Sequence, residues 1–213
     1  MPTPPRSVKI GADERTGWSS DRPRREGQAG GGPRPVDVGV RGRVLAPTDR
    51  LRYMPGSMVA IVSGSRTARD AFADRVVEDK AAIISRDKVR ALLAGRVAGE
   101  EIDERVDQLI DAAITKRLGA KQSVILLADA ADEAERERVV RIAHANRAPR
   151  HLILVEAGRD EMDEDAREPL NALRRALDAG ELGPQGWHTA LRLGGTTISE
   201  LKRLVFRPPP ADE

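Results

Sequence analysis

The chain has 213 residues, of which 39% are hydrophobic and 33% charged, with no cysteine and a formal net charge of +2. Its longest apolar runs, 58–62 and 124–128, hold five residues each, against the roughly 20 that a membrane-crossing helix needs. The opening MPTPPRSVKI lacks the apolar core of a secretory signal, and without cysteine there is neither a disulfide framework nor a thiolate metal site, so the expected setting is cytoplasmic or within an intracellularly assembled particle.

Residues 1–56 read as a basic N-terminal arm. They hold eight of the 14 prolines and nine of the 19 glycines, and GQAGGGPRP at 27–35 can sustain neither helix nor central strand. Residues 1–52 carry eleven Lys or Arg against six Asp or Glu, leaving 25 against 28 beyond them, so the basicity belongs to the arm. It is expected either as a solvated tail or as a segment that orders against a partner. Val36, Val38 and Val40 alternate with Asp37 and Gly39, a pattern that could add a strand to a sheet edge. The partner-binding residues expected in the arm are Arg22, Arg24, Arg25, Arg41, Arg43, Arg50 and Arg52.

From residue 57 strand and helix alternate. Strands are expected at 58–62, 81–84, 124–128, 151–155 and 187–193, and helices at 68–78, 87–93, 100–118, 133–146 and 164–179. A closing helix is expected at 198–205, ahead of a polar tail at 207–213. In the longest helix Ile102, Val106, Leu109, Ile110, Ala113 and Ile114 form a stripe at spacings of three and four. Continuous apolar strands separated by helices imply an α/β domain over 57–206, with a parallel five-stranded sheet covered on both faces. With five aromatic residues in all, the core must be aliphatic and a base-stacking surface is poorly supplied.

In such a sheet the first strand-to-helix turn is the usual place for phosphate, because helix N-terminal amides favour anions. Here that turn is Ser63, Gly64, Ser65, Arg66, Thr67, Ala68, Arg69 and Asp70. Set on G-x-x-x-x-G-K-[ST], Ser63 and Ala68 replace the glycines, Arg69 the lysine and Asp70 the hydroxyl residue. The order and spacing of these segments resemble the P-loop kinase domain of the polynucleotide kinase type, in the P-loop NTPase superfamily. Ser85-Arg-Asp-Lys-Val-Arg90 resembles the family's S/N-x-D-x-x-R, which implies Asp87 as general base on an acceptor hydroxyl and Arg90 as its holder. Ala128-Asp-Ala-Ala-Asp132 resembles D-x-T-N, with Asp129 retained as an implied magnesium-site residue and Ala131 and Asp132 departing from the pattern. An Arg-rich helix follows, with Arg136, Arg138 and Arg141. Where the family has an arginine-bearing lid this chain has a short acidic stretch, 156–168, in which Arg159 and Arg167 could stand in.

The substitutions oppose the usual activity. The Ala68 Cβ obstructs close backbone approach, at a cost of about 1–2 kcal/mol if a left-handed conformation is required. Arginine is a wide planar fork where lysine is a compact ammonium. A carboxylate about 4 Å from one phosphate charge repels it by about 4 kcal/mol at an effective dielectric of ~20. The plainer expectation is that Asp70 serves the helix dipole from the first turn and Arg69 is solvated. By the same reasoning Asp87 and Arg90 form an i,i+3 pair, Asp129 caps a helix, and the Arg136, Arg138 and Arg141 face is solvated alongside Glu133, Glu135 and Glu137. His144, His151 and His188 are isolated, and Trp187 anchors the core.

Two functions remain. One is a non-catalytic kinase-like scaffold or interaction module, needing no cofactor, whose arm binds a nucleic-acid backbone or a protein surface in a larger assembly such as a viral particle or nucleoprotein. The alternative is a divergent ATP- and magnesium-dependent kinase acting on a nucleic-acid 5′-hydroxyl or a small hydroxyl substrate.

Overall fold

The computed structural model describes residues 43–44, 50–128 and 132–208. Arg22, Arg24, Arg25 and Arg41, the alternating stretch 36–40, Asp129 and the end of the polar tail lie outside the described residues.

Strands β1 (Arg43–Val44) and β2 (Arg50–Tyr53) precede β3 (Met58–Ser63), β4 (Ile83–Ser85), β5 (Val124–Leu127), β6 (Arg150–Val155), β7 (Thr189–Leu193) and β8 (Arg203–Phe206). Five strands form a parallel sheet in the order β7-β6-β3-β5-β4, and the two residues of β1 extend its β7 edge. The helices are α1 (Arg66–Val76), α2 (Arg86–Leu93), α3 (Ile102–Gly119), α4 (Glu133–Ala145), α5 (Arg167–Ala179) and α6 (Thr196–Glu200). This is an α/β architecture, a five-stranded parallel sheet flanked by helices. β3 lies between β5 and β6, so successive crossovers leave it in opposite directions and a crevice opens at its carboxyl end.

Every residue of β3 and β5 is buried, which explains why these strands read as unbroken apolar runs. The period-two geometry of β3 divides the core. Met58, Ala60 and Val62 face one cluster, with Val106, Ile110 and Ile114 of α3, Val139 of α4 and Leu170 and Leu173 of α5. Val59 and Ile61 face the other, with Phe72 and Val76 of α1, Leu51 and Tyr53 of β2, and Leu201 and Leu204. Trp187 is buried in the first cluster as expected.

Two expectations are corrected. The closing helix at 198–205 is absent: α6 ends at Glu200, and Arg203–Phe206 forms β8. The spacing of Leu201, Leu204 and Val205 fits a helix, but a parallel partner is available in β2, whose Leu51 and Tyr53 register against Leu204 and Phe206. β2 itself lies within the stretch read as arm. Its Leu51 and Tyr53 point into the core, while Arg50 and Arg52 alternate outward, as the period of two requires.

Leu51→Ala is therefore expected to cost about 2–4 kcal/mol by leaving a cavity under the β2–β8 pair. The measurement is the urea midpoint at unchanged m-value; a midpoint equal to that of the parent chain would show that β2 does not cover the core.

Candidate functional site

The turn after β3 is shorter than a phosphate loop. Only Gly64 and Ser65 separate the strand from α1, so Ala68, Arg69 and Asp70 sit on the helix. Ser65 is the N-cap and its hydroxyl accepts from the Ala68 N–H at 3.2 Å. The first turn of α1 contains no acidic residue of its own. Its negative partner comes from 97 residues away: the Arg66 N–H donates to the Asp163 carboxylate at 3.0 Å. The Asp163 N–H in turn donates to the Gly64 carbonyl at 2.7 Å, and the Arg66 guanidinium reaches Asp165 at 3.0 Å. An aspartate thus occupies the position at the helix terminus where an anionic ligand is favoured. The stretch bearing it presses on the turn: a Cβ at Gly64 would lie 2.9 Å from Leu170 and 3.1 Å from Met162. Arg167, one of the two expected lid arginines, opens α5 on the surface instead; Arg159 begins a short 3-10 turn.

Arg69 is not solvated. Its side chain is 1% exposed and its guanidinium donates to Asp70 at 2.8 Å, to the Ala128 carbonyl at 2.8 Å and to Asp87 at 3.0 Å. The planar fork suits this arrangement, since its donors diverge toward partners on α1, on α2 and at the end of β5. Asp70 is the fifth residue of α1, beyond the first turn, and acts as counter-ion to Arg69 rather than to the helix dipole. Asp87 and Arg90 do not pair with each other. Asp87, second in α2, turns to Arg69, whereas Arg90 reaches Asp103 on α3 at 2.8 Å.

The Arg-rich face of α4 divides. Arg141 is exposed and pairs with Glu137, four residues away. Arg136 is buried, and burial lowers its pKa. Arg138 spans to α3, reaching Asp107 at 3.2 Å and Asp111 at 3.3 Å. Arg86 also pairs with Asp107. Asp132 caps α4, accepting from the Ala134 N–H at 3.0 Å. Arg66, Arg86, Asp107 and Arg138 border an open cavity of about 440 Å³ beside the turn.

At the carboxyl end of β6, Glu156 binds both Arg174 and Arg192, the latter at 2.6 Å. Burial alone would push the Glu156 carboxyl up; the two guanidiniums outweigh it and hold it below the usual carboxylate range. Sequence reasoning passed over Glu156 and Asp163 because the stretch read only as acidic. It also treated the histidines as isolated, yet the His151 and His188 rings lie 6.4 Å apart, and His144 lies 3.5 Å from Arg150. Among the described residues no group of three or more His, Cys, Asp or Glu is placed to hold a metal ion. No helix among them is long and apolar enough to cross a membrane.

No protein-family model and no curated protein matches the chain. Among solved structures, the chain is similar to a tunicamycin resistance protein from Deinococcus radiodurans, at 12% identity and a TM-score of 0.40, over 68% of this chain and 91% of that one. It is similar also to APE1195, at 21% identity and a TM-score of 0.39, over 68% and 92%.

Removing the buried guanidinium leaves a cavity, the Ala128 carbonyl without this donor and two half-exposed carboxylates unpaired, so Arg69→Ala is expected to destabilise the domain by about 2–4 kcal/mol. Urea denaturation measures it, and a loss below about 1 kcal/mol, typical of an exposed pair, contradicts the arrangement. Glu156→Gln tests the second cluster by pH. A folded-state pKa below the unfolded one stabilises fully above the unfolded value, about 4.3 for Glu, and that contribution vanishes as pH falls through the folded value. The variant should be less stable at pH 7 and converge on the parent chain in acid; a pH-independent difference rules the ion pairs out as its source.

Proposed function

We propose that this chain is a kinase-like P-loop domain of the polynucleotide kinase type that no longer transfers phosphoryl groups. It serves as an interaction module whose basic N-terminal segment reaches a partner in a larger assembly, of the nucleoprotein or viral-particle kind. The observation that carries this reading is the engagement of Arg69, at the phosphate-lysine position, by Asp70, Asp87 and the Ala128 carbonyl. To meet a triphosphate Arg69 would have to abandon two carboxylates. Each of those would then repel an added phosphate charge about 4 Å away by about 4 kcal/mol at an effective dielectric of ~20. Asp163 already takes the α1 N-terminus, so nucleotide would also have to displace the stretch that covers Gly64. Phosphoryl transfer depends on positioning and charge neutralisation, and both are turned inward here.

One observation favours the second reading, a divergent kinase acting on a hydroxyl. Asp87 remains 48% exposed beside a cation that is 1% exposed, open to an incoming acceptor. In that reading the Asp87 carboxylate takes the hydroxyl proton, Arg90 orients the acceptor, Arg69 serves the phosphates, and Asp70 or Asp129 holds magnesium.

A thermal melt with and without millimolar ATP and magnesium separates the two. The interaction-module reading expects no shift, whereas a nucleotide at 100 times its dissociation constant stabilises by about 2.7 kcal/mol. A clear shift, with labelled phosphate appearing on a 5′-hydroxyl oligonucleotide and disappearing in Asp87→Asn, establishes the kinase. For the arm, deleting residues 1–42 should leave the melt unchanged and abolish salt-sensitive retention on single-stranded RNA or polyglutamate, the two polyanion classes its charge suits. Retention that survives the deletion removes the arm from the proposal.

A further inference from the structure

A second basic cluster lies at the opposite end of the sheet. Arg150 is the first residue of β6 and β3 runs parallel to it, so Arg150 sits at the amino edge while the β3–α1 turn sits at the carboxyl edge. Around Arg150 are His144 from the last turn of α4, Arg147 from the α4–β6 turn, and His188 from the segment before β7. These four side chains line an open cavity of about 560 Å³ whose remaining walls are alanine and proline, with no acidic residue.

The cluster is built rather than incidental. The Arg150 guanidinium is fixed through Nε, which donates to the Gly186 carbonyl at 2.6 Å, and through Nη1, which lies 3.5 Å from both the Ala148 carbonyl and His144 Nδ1. None of these partners is a carboxylate, so its charge is held in place without an ion pair to cancel it. His188 Nδ1 accepts from the Arg150 N–H at 3.0 Å, which assigns the ring proton of the neutral imidazole to Nε2 and leaves that nitrogen a donor. Arg147 holds a left-handed φ of 54°, uncommon for a side chain of its size. The cluster lies at the C-terminus of α4, where cations are favoured for the dipole alone. Yet the carbonyls of that terminus are taken by backbone amides: Asn146 N–H to Ile142, Arg147 N–H to His144 and Ala148 N–H to Ala143. His151, behind His188 with its ring tilted against that of Tyr53 at 4.5 Å, is held low by burial with His188 and Arg150 adding to it.

We propose that this cavity binds a tetrahedral oxyanion, a phosphate or sulfate group, through Arg150, Arg147 and the imidazoles of His144 and His188. Burial, and then the Arg150 charge, lowers the His188 pKa in the empty cavity. With its pKa lowered and Nδ1 accepting from the Arg150 N–H, His188 meets the anion as a neutral imidazole through its Nε2–H. The site is independent of the nucleotide question at the other edge.

Sulfate is the probe, because its charge does not change near neutrality, and the three histidines of the chain report individually by imidazole NMR. Saturating sulfate at low ionic strength is expected to displace the imidazole resonances of His144 and His188 while leaving those of His151, outside the cavity lining, unmoved. Arg150→Gln should abolish the displacement. Because Arg150 also holds Gly186, Arg147→Gln and His144→Gln are made in parallel; both positions are exposed, and each variant should weaken sulfate several-fold with its melt unchanged. Phenyl phosphate at pH 8 distinguishes the source: affinity roughly tenfold above that of sulfate assigns the cavity to a phosphate ester, and equal affinity to the free oxyanion. Unmoved histidine resonances, or the same displacement in all three variants, overturn the proposal and leave the cations serving the helix terminus alone.

Discussion

The buried guanidinium of Arg69 is the constraint around which the carboxyl edge is arranged. A cation that is 1% exposed persists only if its donors are matched. Here the matches come from α1 itself, from the first turn of α2 and from the end of β5. Those contacts fasten two helices and a central strand across the crevice that the sheet topology opens, so the place where this architecture usually accommodates a ligand is crossed by side chains of the chain itself. The net charge of Arg69 with its two carboxylates is negative, the wrong sign for a polyanion.

Asp163 completes the same logic at the adjoining helix end. An α-helix N-terminus presents unpaired amides that a bound phosphate can satisfy. In this chain Ser65 and Asp163 do so, and Met162 and Leu170 pack over Gly64 to keep the acidic stretch in place. The negative charge at this helix end is supplied internally, by Asp163.

The two edges of the sheet therefore use arginine differently. At the carboxyl edge Arg66, Arg69, Arg86, Arg90 and Arg138 meet carboxylates, several of them on α3 at Asp103 and Asp107. At the amino edge Arg150 is positioned by backbone carbonyls and by imidazole, partners that orient a guanidinium but leave its field intact. Arginine content alone says nothing of this division, which depends on the sign of what each guanidinium touches.

The sequence by itself determined the alternation of buried strands and amphipathic helices, because an unbroken apolar run at 58–62 and a 3.6 period along Val106, Ile110 and Ile114 are local properties of the chain. It also located the turn between β3 and α1 as the place to look for a site. Only the tertiary structure decided what the residues there do. Arg69 finds Asp87 across 18 residues and Ala128 across 59, and Arg66 finds Asp163 across 97; such separations are closed by crossovers, not by spacing. The closing strand was hidden for the same reason: Leu201, Leu204 and Val205 satisfy a helical stripe, and they become extended because β2, some 150 residues earlier, offers a free edge to pair with. Local pattern specifies an element when one face must be buried; which partner buries it, and which charge meets it, is a property of the assembled sheet.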